Sequence, residues 1–376
     1  MSTDDTPATR LATRLAFLAA GFAMACWAPL VPYAKARLGM DEAGLGLLLL
    51  CVGIGSVGAM PVAGTLVGRI GVRPVILVAG VGLCLAVPGL ALAATPVSLG
   101  AVLLLFGAAL GSMDVAMNVH AVAVEKAAAR PLMSGFHGLF SVGGLIGAGA
   151  MTLLLAAGLP PVPAALAAAV ALALAVALAV PRLLGHAGGE PGPLLVRPHG
   201  MVLLLGALAF AAFLTEGAIL DWSALLLTQA RGFDPAQAGI GYTLFSATMT
   251  LGRLTGDRVV AVLGARRVLL WGGLVAVGSL AVVALAPWAW LALAGLLLTG
   301  LGASNLVPVL FSAAGRQHAM PVGLAVTAMS TLGYAGILSE PAAMGFVAKV
   351  AGLPAAFVLL ALLMLSLPLA ARRVTR

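Results

Sequence analysis

The sequence of 376 residues contains little charge, because Asp, Glu, Lys and Arg together make up only 9% of it. A soluble globular domain carries about a quarter of its residues as charged side chains, so this composition excludes one. Hydrophobic residues make up 62%, and the mean hydropathy is +1.14, which is typical of an integral membrane protein. The net charge of +8 does not indicate a nucleic-acid partner, because the basic residues lie in short segments between apolar runs.

Cysteine is also scarce, and Cys26, Cys51 and Cys84 each lie singly in an apolar segment. No two of them have the spacing of metal ligands or of a disulfide framework, so we expect neither kind of site. The chain lacks the Gly-x4-Gly-Lys-Ser/Thr loop of nucleotide-driven pumps, and it lacks a nucleophile with a plausible base. We therefore expect neither an enzyme nor a cofactor.

Twelve apolar stretches are long enough to cross a bilayer, which takes about 20 helical residues. The predicted fold is all-α and integral to the membrane, with twelve transmembrane helices in two pseudo-symmetric six-helix bundles, 1–181 and 200–376. The Pro-, Gly- and His-containing run 182–199 is the predicted cytoplasmic linker. The spans lie near residues 12–34, 45–67, 74–93, 97–119, 134–156, 162–181, 200–227, 237–254, 266–286, 288–311, 321–342 and 352–371.

The first span follows basic residues, as the apolar segment of a secretory signal does. Trp27, Pro29 and Pro32 stand where the small residues of a cleavage site would be expected, so we predict a retained first helix. With the amino terminus in the cytoplasm, all but four of the 20 Lys and Arg residues fall on the cytoplasmic side. The positive-inside rule therefore predicts an even number of spans with both termini in the cytoplasm.

Two related segments occur at equivalent points of the two halves. Residues 64–73 read GTLVGRIGVR, and residues 252–267 read GRLTGDRVVAVLGARR, with an offset of 188 between their first residues. A basic, Gly-containing turn between the second and third spans of each half is typical of a two-bundle secondary transporter. Further equivalent pairs lie at offsets from 188 to 195, namely Arg37 with Arg231, Asp114 with Asn305, and Gly143 with Gly333.

These turns and the twelve-span topology resemble the major facilitator superfamily over essentially the whole chain. Three runs, GAALGSMDVAMNVHAVAVE at 107–125, SGFHGLFSVGGLIG at 134–147 and TEGAILDWS at 215–223, resemble its fucose-permease-like and rhizopine-transport-like (MosC-like) branch. The resemblance implies alternating access around a site near the midplane. It also implies gating roles for the residues of the two turns. These are Gly64, Gly68, Arg69, Arg73, Gly252, Gly256, Asp257 and Arg258.

The family turn usually carries an acidic residue at its fifth position, where this chain has Gly68. The charge-relay role that the resemblance implies for that carboxylate is therefore not expected in the first half, and Asp257 is the carboxylate that can serve in the second half. A charged side chain at a helix centre costs about 2.5 to 3.5 kcal/mol, so each one inside the membrane needs a partner or a wet cavity. This cost makes the charged residues of the spans the candidates for function.

Asp114 and Asn118 lie one helical turn apart on the fourth span, and we expect both to line the cavity and bind substrate. The alternative for Asp114 is a pairing with Arg69 or Arg73 that braces the inner gate. Glu125 continues the same stripe towards the cytoplasmic end of the span, where we expect a gating role.

Glu216 lies near the middle of the seventh span, with Asp221 and Trp222 farther outward. Because a desolvated carboxyl can take up and release a proton, we predict that Glu216 is the principal proton-coupling residue, with Asp114 and Asp221 as further candidates. The competing interpretation is a carboxylate held by a neighbouring hydroxyl or amide to fix helix packing. Trp222 and Trp27 are expected to stack on a sugar ring, and the alternative for both is aromatic anchoring at the membrane boundary.

Three more polar residues are candidates. His137, near the start of the fifth span, can exchange protons at physiological pH, and we expect it to contact substrate unless it only links helices. Asn305 is expected to hydrogen-bond a hydroxylated substrate or, alternatively, to satisfy helix contacts. Glu340 precedes Pro341 at the outer end of the eleventh span, and we expect a gate or a cap there.

The sequence therefore predicts a multi-pass secondary transporter of the cytoplasmic (inner) membrane, which performs proton-coupled symport of a sugar-like or cyclitol-like solute. Two alternatives stand beside it. One is proton-antiport efflux of amphipathic compounds, and the other is a non-transporting membrane sensor or scaffold on the same fold. The expected partners are a small-molecule substrate, a proton and the lipid bilayer, without nucleic acid, and the monomer is expected to be sufficient.

Overall fold

The computed structural model describes residues 6–185, 197–234 and 237–375. Every regular element in these ranges is helical, and helices occupy the positions of all twelve predicted spans. The predicted all-α membrane fold is confirmed. In chain order the helices are α1a (Pro7–Cys26), α1b (Val31–Leu38), α2 (Glu42–Ile70), α3 (Val72–Leu92), α4 (Pro96–Ala128), α5 (Met133–Ala156), α6 (Pro161–Ala179), α7 (Gly200–Arg231), α8 (Ile240–Leu263), α9 (Gly273–Leu285), α10a (Ala289–Ala303), α10b (Leu306–Arg316), α11 (Val322–Ala351), α12a (Leu353–Met364) and α12b (Ser366–Val374). The short helical segments Ala265–Arg267 and Val268–Gly272, the second of them a π-helix, lead directly into α9 and complete its span.

Within the described residues, eleven helical stretches are long and apolar enough to cross a membrane. The helix at the remaining predicted span, α8, carries Arg253, Asp257 and Arg258 in its second half. These charges lower the hydropathy of α8 without ending the helix, which continues to Leu263 instead of stopping at residue 254 as predicted. The basic turn of the second half is therefore largely helical.

Three predicted spans are interrupted helices. A three-residue 3₁₀ turn, Ala28–Leu30, separates α1a from α1b, and it contains Pro29, whose ring removes a backbone donor. Ser304 and Asn305 separate α10a from α10b, and Leu365 separates α12a from α12b. The spans predicted at 12–34, 288–311 and 352–371 are each occupied by one apolar helical stretch that contains such a short break.

The chain forms two compact units. The first comprises Met1–Ala129, Leu139–Pro198 and Met320–Thr331, and the second comprises Arg130–Gly138, His199–Ala319 and Leu332–Arg376. The first turns of α5 and α11 thus belong to a different unit from the rest of the same helix. The predicted bundles 1–181 and 200–376 stay a prediction, and most of the predicted linker lies outside the described residues.

Glycine lets helices of the first unit approach at backbone distance. A side chain at Gly107 of α4 would overlap the backbone of Val52 on α2, and one at Gly55 of α2 would overlap the backbone of Leu104 on α4. Ser56 uses this proximity to donate a 2.8 Å hydrogen bond to the carbonyl of Gly107. Small residues at such contacts are a general device of membrane helix pairs, because lipid provides no hydrophobic force that drives helices together.

Two arginines show that the internal repeat is also structural. Arg37, in the last turn of α1b, donates to the carbonyls of Leu90 and Ala93 at the end of α3, at 3.0 and 2.9 Å. Arg231, at the end of α7, donates to the carbonyl of Val283 at 3.2 Å and to that of Ala284, near the end of α9. Each guanidinium therefore binds terminal carbonyls of the third helix of its half, where the helix dipole favours a cation.

Candidate solute and proton sites

Asp114 and Asn118 are buried side by side on α4 in the first unit. Asp114 is 7% exposed and Asn118 is fully buried. The Asn118 amide donates to the backbone carbonyl of Asp114 at 2.9 Å, as the spacing of one turn allows. The Asp114 carboxyl also faces the hydroxyl of Ser330 on α11, a residue that the sequence interpretation missed. A carboxyl, an amide and a hydroxyl thus converge in an apolar helix environment.

This cluster has unused hydrogen-bonding capacity. Asp114 Oδ2, Asn118 Oδ1 and Ser330 Oγ are buried and complete no hydrogen bond of normal geometry. Each buried polar atom left in this state costs about 1 to 3 kcal/mol, so a ligand that supplies donors would be stabilised here. Pairing of Asp114 with Arg73 does not occur, because Arg73 donates instead to the carbonyl of Leu183 at 2.6 Å.

Glu216 is the partner of a buried arginine in the second unit. Arg253 Nη2 on α8 lies 3.1 Å from Glu216 Oε1 on α7, and the two side chains are 8% and 26% exposed. Arg253 Nε also donates to the carbonyl of Ser304 at 3.3 Å. Glu216 thus has a basic partner, and the pair joins α7 to α8.

His137 and Asn305 lie near the same arginine. His137 is buried with its ring centroid 5.4 Å from that of Phe311, and it lies within electrostatic range of Arg253. Asn305 donates to the carbonyl of Gly252 at 3.1 Å and to Ser304 Oγ at 3.0 Å, while its Oδ1 completes no hydrogen bond. Asn305 therefore satisfies helix contacts with its donor and leaves its acceptor unused.

Asp221 and Trp222 of α7 meet Glu340 of α11 in the second unit. The carboxyls of Asp221 and Glu340 lie within hydrogen-bonding reach of each other, and the Trp222 indole faces Glu340. Glu340 is 1% exposed, whereas Asp221 is exposed. The expectation that Glu340 lies at a helix end is wrong, because α11 continues past Pro341 to Ala351. Trp27, the other predicted stacking residue, is buried in the first unit between α1a and α1b.

The first turn segment, residues 64–73, contains one glycine at a close helix contact and another at the turn between α2 and α3. A side chain at Gly64 of α2 would overlap Thr327 of α11. Gly71 has φ +85°, in the region that favours glycine, and it connects α2 to α3. Arg69 is exposed, as is Glu125 in part on α4.

The second turn segment, residues 252–267, also has glycines at close helix contacts, and it adds the carboxylate of Asp257. Side chains at Gly252 and Gly256 would overlap Ser304 and Asn305 respectively, and Gly256 also lies against Ser134 of α5. Asp257 Oδ1 accepts a hydrogen bond from the backbone N–H of Gly135 at 3.0 Å, in the first turn of α5. In the first half, Gly68 stands at the fifth position of the turn and offers no carboxylate, and Arg258 is exposed like Arg69.

His120 is a buried polar residue that the sequence interpretation did not single out. Its Nε2 accepts from the backbone N–H of Leu184 at 3.0 Å, and its Nδ1 lies 3.0 Å from Thr13 Oγ1. Because Nε2 is an acceptor, the ring is the neutral tautomer that donates from Nδ1. Thr13 donates in turn to the carbonyl of Thr9. In the sequence, the only indication of this network is a single His within an apolar span.

These features define a multi-pass α-helical membrane protein with an internal repeat and with clusters of buried polar side chains between its helices. Residues 15–217 match the family model of the Major Facilitator Superfamily, and the chain belongs to this family of transporters.

Relatives support the same assignment. The chain is 53% identical over 369 residues to an uncharacterized MFS-type transporter of Yersinia pestis, covering 98% of this chain and 96% of the relative. It is 30% identical over 347 residues to the membrane protein MosC of Rhizobium meliloti, covering 92% and 85%. The predicted likeness to the MosC-like branch is thereby confirmed.

Solved structures agree on the fold. The Escherichia coli fucose:proton symporter FucP superposes with a TM-score of 0.79 at 16% identity, covering 98% of each chain. At this identity the likeness shows the fold alone.

Proposed function

We propose that this transporter performs proton-coupled symport of a small hydroxylated solute, sugar-like or cyclitol-like, by alternating access. In this proposal two bundles, 1–181 and 200–376, act around a central site, with the linker 182–199 and both termini in the cytoplasm. The monomer in the cytoplasmic membrane is the working unit. FucP, which has a similar fold, is named as a fucose:proton symporter, and this name is consistent with the proposed class of solute.

The observation that carries the proposal is the set of buried oxygen atoms without partners around Asp114. Asp114 Oδ2, Asn118 Oδ1 and Ser330 Oγ are acceptors that a hydroxyl-rich solute can satisfy with its own donors. An amphipathic efflux substrate would leave these atoms unsatisfied. We therefore assign solute binding to this cluster, and the polar lining favours import of a hydroxylated solute over efflux of amphiphiles.

Proton coupling is assigned to carboxyl groups without a basic partner. Neither Asp114 nor Asp221 forms a salt bridge with a Lys or Arg among the described residues, whereas Glu216 does. A membrane-embedded carboxyl without a countercharge is stabilised by a bound proton, which is the property a proton carrier needs. The ion pair leaves Glu216 the role of holding α7 against α8.

The test is uptake of radiolabelled hexoses, pentoses and cyclitols into proteoliposomes with an acid exterior. We expect accumulation of at least one hydroxylated solute, abolished by a protonophore and by Asp114→Asn, and reduced by Ser330→Ala. Asp41→Asn is the matched control, because Asp41 only caps α2 through the N–H of Gly44. Accumulation that ignores the protonophore would overturn the coupling, and expulsion of cationic amphiphiles without uptake of any hydroxylated solute would establish antiport instead.

A further inference from the structure

Two carboxyl groups of the second unit meet without a counterion. Asp221 on α7 and Glu340 on α11 lie within hydrogen-bonding reach of each other. Neither forms a salt bridge with a Lys or Arg in the described part of the chain. Two neighbouring carboxylates repel each other in a medium of low dielectric constant, so the pair is most stable when it holds one proton between its oxygens.

The basic and titratable groups near the pair are committed elsewhere. Tyr242 of α8 lies within electrostatic range of Asp221, and also of Glu216 and Arg253, which are bonded to each other. Arg231, on the same helix as Asp221, donates to carbonyls at the end of α9. Helix α12a, which packs on α7, contains no titratable residue. Among the described residues, the nearby Arg231 and Arg253 are thus each bonded to other acceptors, and neither pairs with Asp221 or Glu340.

The two members of the pair differ in access. Asp221 is exposed, and Glu340 is 1% exposed. The Glu340 side chain lies against Gly217, one turn before Asp221, where an added Cβ would be in van der Waals contact with Glu340 Oε2 at 3.5 Å. A proton that reaches the pair therefore meets Asp221 first, because this carboxyl is accessible and that of Glu340 is enclosed.

An unused donor faces the enclosed carboxyl. The Trp222 indole faces Glu340, and its ring lies over Gly345 on α11, where an added Cβ would lie 3.6 Å from Trp222 Cη2. Both Trp222 Nε1 and Glu340 Oε1 are buried atoms that complete no hydrogen bond of normal geometry. A buried N–H that is idle beside a protonated carboxyl becomes a charge-assisted donor when that carboxyl loses its proton.

We propose that Asp221 and Glu340 form a one-proton carboxyl pair that is a proton-coupling site of this transporter, distinct from Asp114, with Trp222 as the positioning residue that stabilises the deprotonated form. The proposal rests on the proposed function in one respect, since it names the site at which the coupled proton is held. In the loaded state the pair shares the proton. On release the proton leaves through the exposed Asp221 and both carboxyls become ionised, with the enclosed Glu340 carboxylate accepting the indole N–H of Trp222 and Asp221 keeping its access to the surface.

The first test needs no substrate. Infrared difference spectra of the purified protein in lipid, recorded as pH is stepped through neutrality, report protonated carboxyls by their C=O stretch and its shift in D2O. We expect a protonated-carboxyl band that Glu340→Gln removes, that changes frequency in Asp221→Asn, and that persists to higher pH in Trp222→Phe. Glu340→Asp, which keeps the carboxyl, should restore a band. The fold of each variant is checked by size-exclusion chromatography and circular dichroism.

The contrary results are equally specific. A band that survives Glu340→Gln unchanged and disappears in Glu216→Gln would transfer the proton to the Glu216 site and overturn the pair. A wild-type spectrum without any band sensitive to Glu340 or Asp221 would overturn it as well. Because these spectra require no transported solute, they decide on the pair even if proteoliposomes accumulate none of the sugars or cyclitols.

A second readout separates coupling from binding. With a solute that the wild type accumulates, Glu340→Gln should abolish accumulation driven by the proton gradient, at least tenfold, and keep solute exchange at equal pH. A merely structural role of Glu340 would lower both activities together. Loss of exchange in step with loss of accumulation would therefore contradict the proposed role.

Discussion

Arg253 and Glu216 form an ion pair between α8 and α7, with 3.1 Å between Nη2 and Oε1. The guanidinium is nearly enclosed, and its Nε is bonded to the carbonyl of Ser304 beside the break in α10. One arginine thus joins α7, α8 and the α10 interruption. Asn305, at the same break, donates to the carbonyl of Gly252, which precedes Arg253 in α8. This junction makes the second turn segment a packing element as well as a turn.

The ion pair yields a double-mutant prediction. Glu216→Gln and Arg253→Gln should each lower the free energy of unfolding by about 2 kcal/mol, because each leaves a poorly hydrated charge without its partner. The double variant should lose less than the sum of the two single losses, with a coupling energy of about 1 kcal/mol or more. Thermal unfolding in detergent measures all three variants. Strictly additive losses would show that the pair contributes nothing.

The two arginines that bind helix ends predict a symmetric effect. Arg37→Ala and Arg231→Ala should each destabilise the protein by about 1 to 3 kcal/mol, since each removes charge-assisted hydrogen bonds to terminal carbonyls. Lys349→Ala is the matched control, because Lys349 is an exposed cation near a helix end. Unfolding midpoints in the same detergent provide the comparison. Equal unfolding midpoints for Arg37→Ala and Lys349→Ala would show that the bonds from Arg37 to the end of α3 do not stabilise the protein.

The sequence predicted features that depend on local spacing and missed those that depend on contacts between distant segments. Asp114 and Asn118 lie together because one helical turn separates them. Ser330 and Glu340 come from α11, and no periodicity in α4 or α7 shows which residue of another helix will face Asp114 or Asp221.

Helix ends were missed for a related reason. The predicted span 237–254 stopped near Arg253 because hydropathy falls there, yet backbone hydrogen bonding carries α8 through its charges to Leu263. The same limitation placed Glu340 at the outer end of a span that continues to Ala351. Hydropathy therefore places charged residues such as Arg253 and Glu340 at the ends of spans. In the structure they lie within helices and contact side chains of a neighbouring helix.

The His120 network predicts a local change in backbone protection. His120→Ala removes the acceptor of the Leu184 N–H and the partner of Thr13, so we expect faster hydrogen exchange at Leu184. Thr13→Val should give a smaller effect, because it removes only the contact to Nδ1. Exchange measured by mass spectrometry on peptides that contain Leu184 tests both. His318→Ala is the control, since it removes an imidazole outside α4, and unchanged protection in His120→Ala would refute the assignment.

The carboxylate of Asp257 predicts a capping effect on α5. Asp257→Ala removes the acceptor of the Gly135 N–H and a negative charge at the amino-terminal end of the helix, with an expected loss of about 1 kcal/mol. Exchange should accelerate in the first turn of α5 and stay unchanged in α2. Asp41→Ala is the matched variant, because Asp41 caps α2 through the Gly44 N–H, and it should give the opposite pattern. Equal acceleration in both helices would indicate general destabilisation instead.

The first half provides the complementary prediction of a gain in stability. Gly68 of α2 lacks a carboxylate of the kind that Asp257 of α8 offers to the first turn of α5. Gly64, one turn earlier on α2, already lies against Thr327 of α11, as Gly256 lies against Ser134 of α5. Gly68→Asp should therefore place a carboxylate at the amino-terminal turn of α11 and add about 0.5 to 1 kcal/mol of stability. Slower exchange in residues 322–327 with Gly68→Asp, and no slowing with Gly68→Ala, is the expected result. Slowing by both substitutions would assign the gain to the loss of glycine in α2, since alanine also stiffens the helix without supplying a charge.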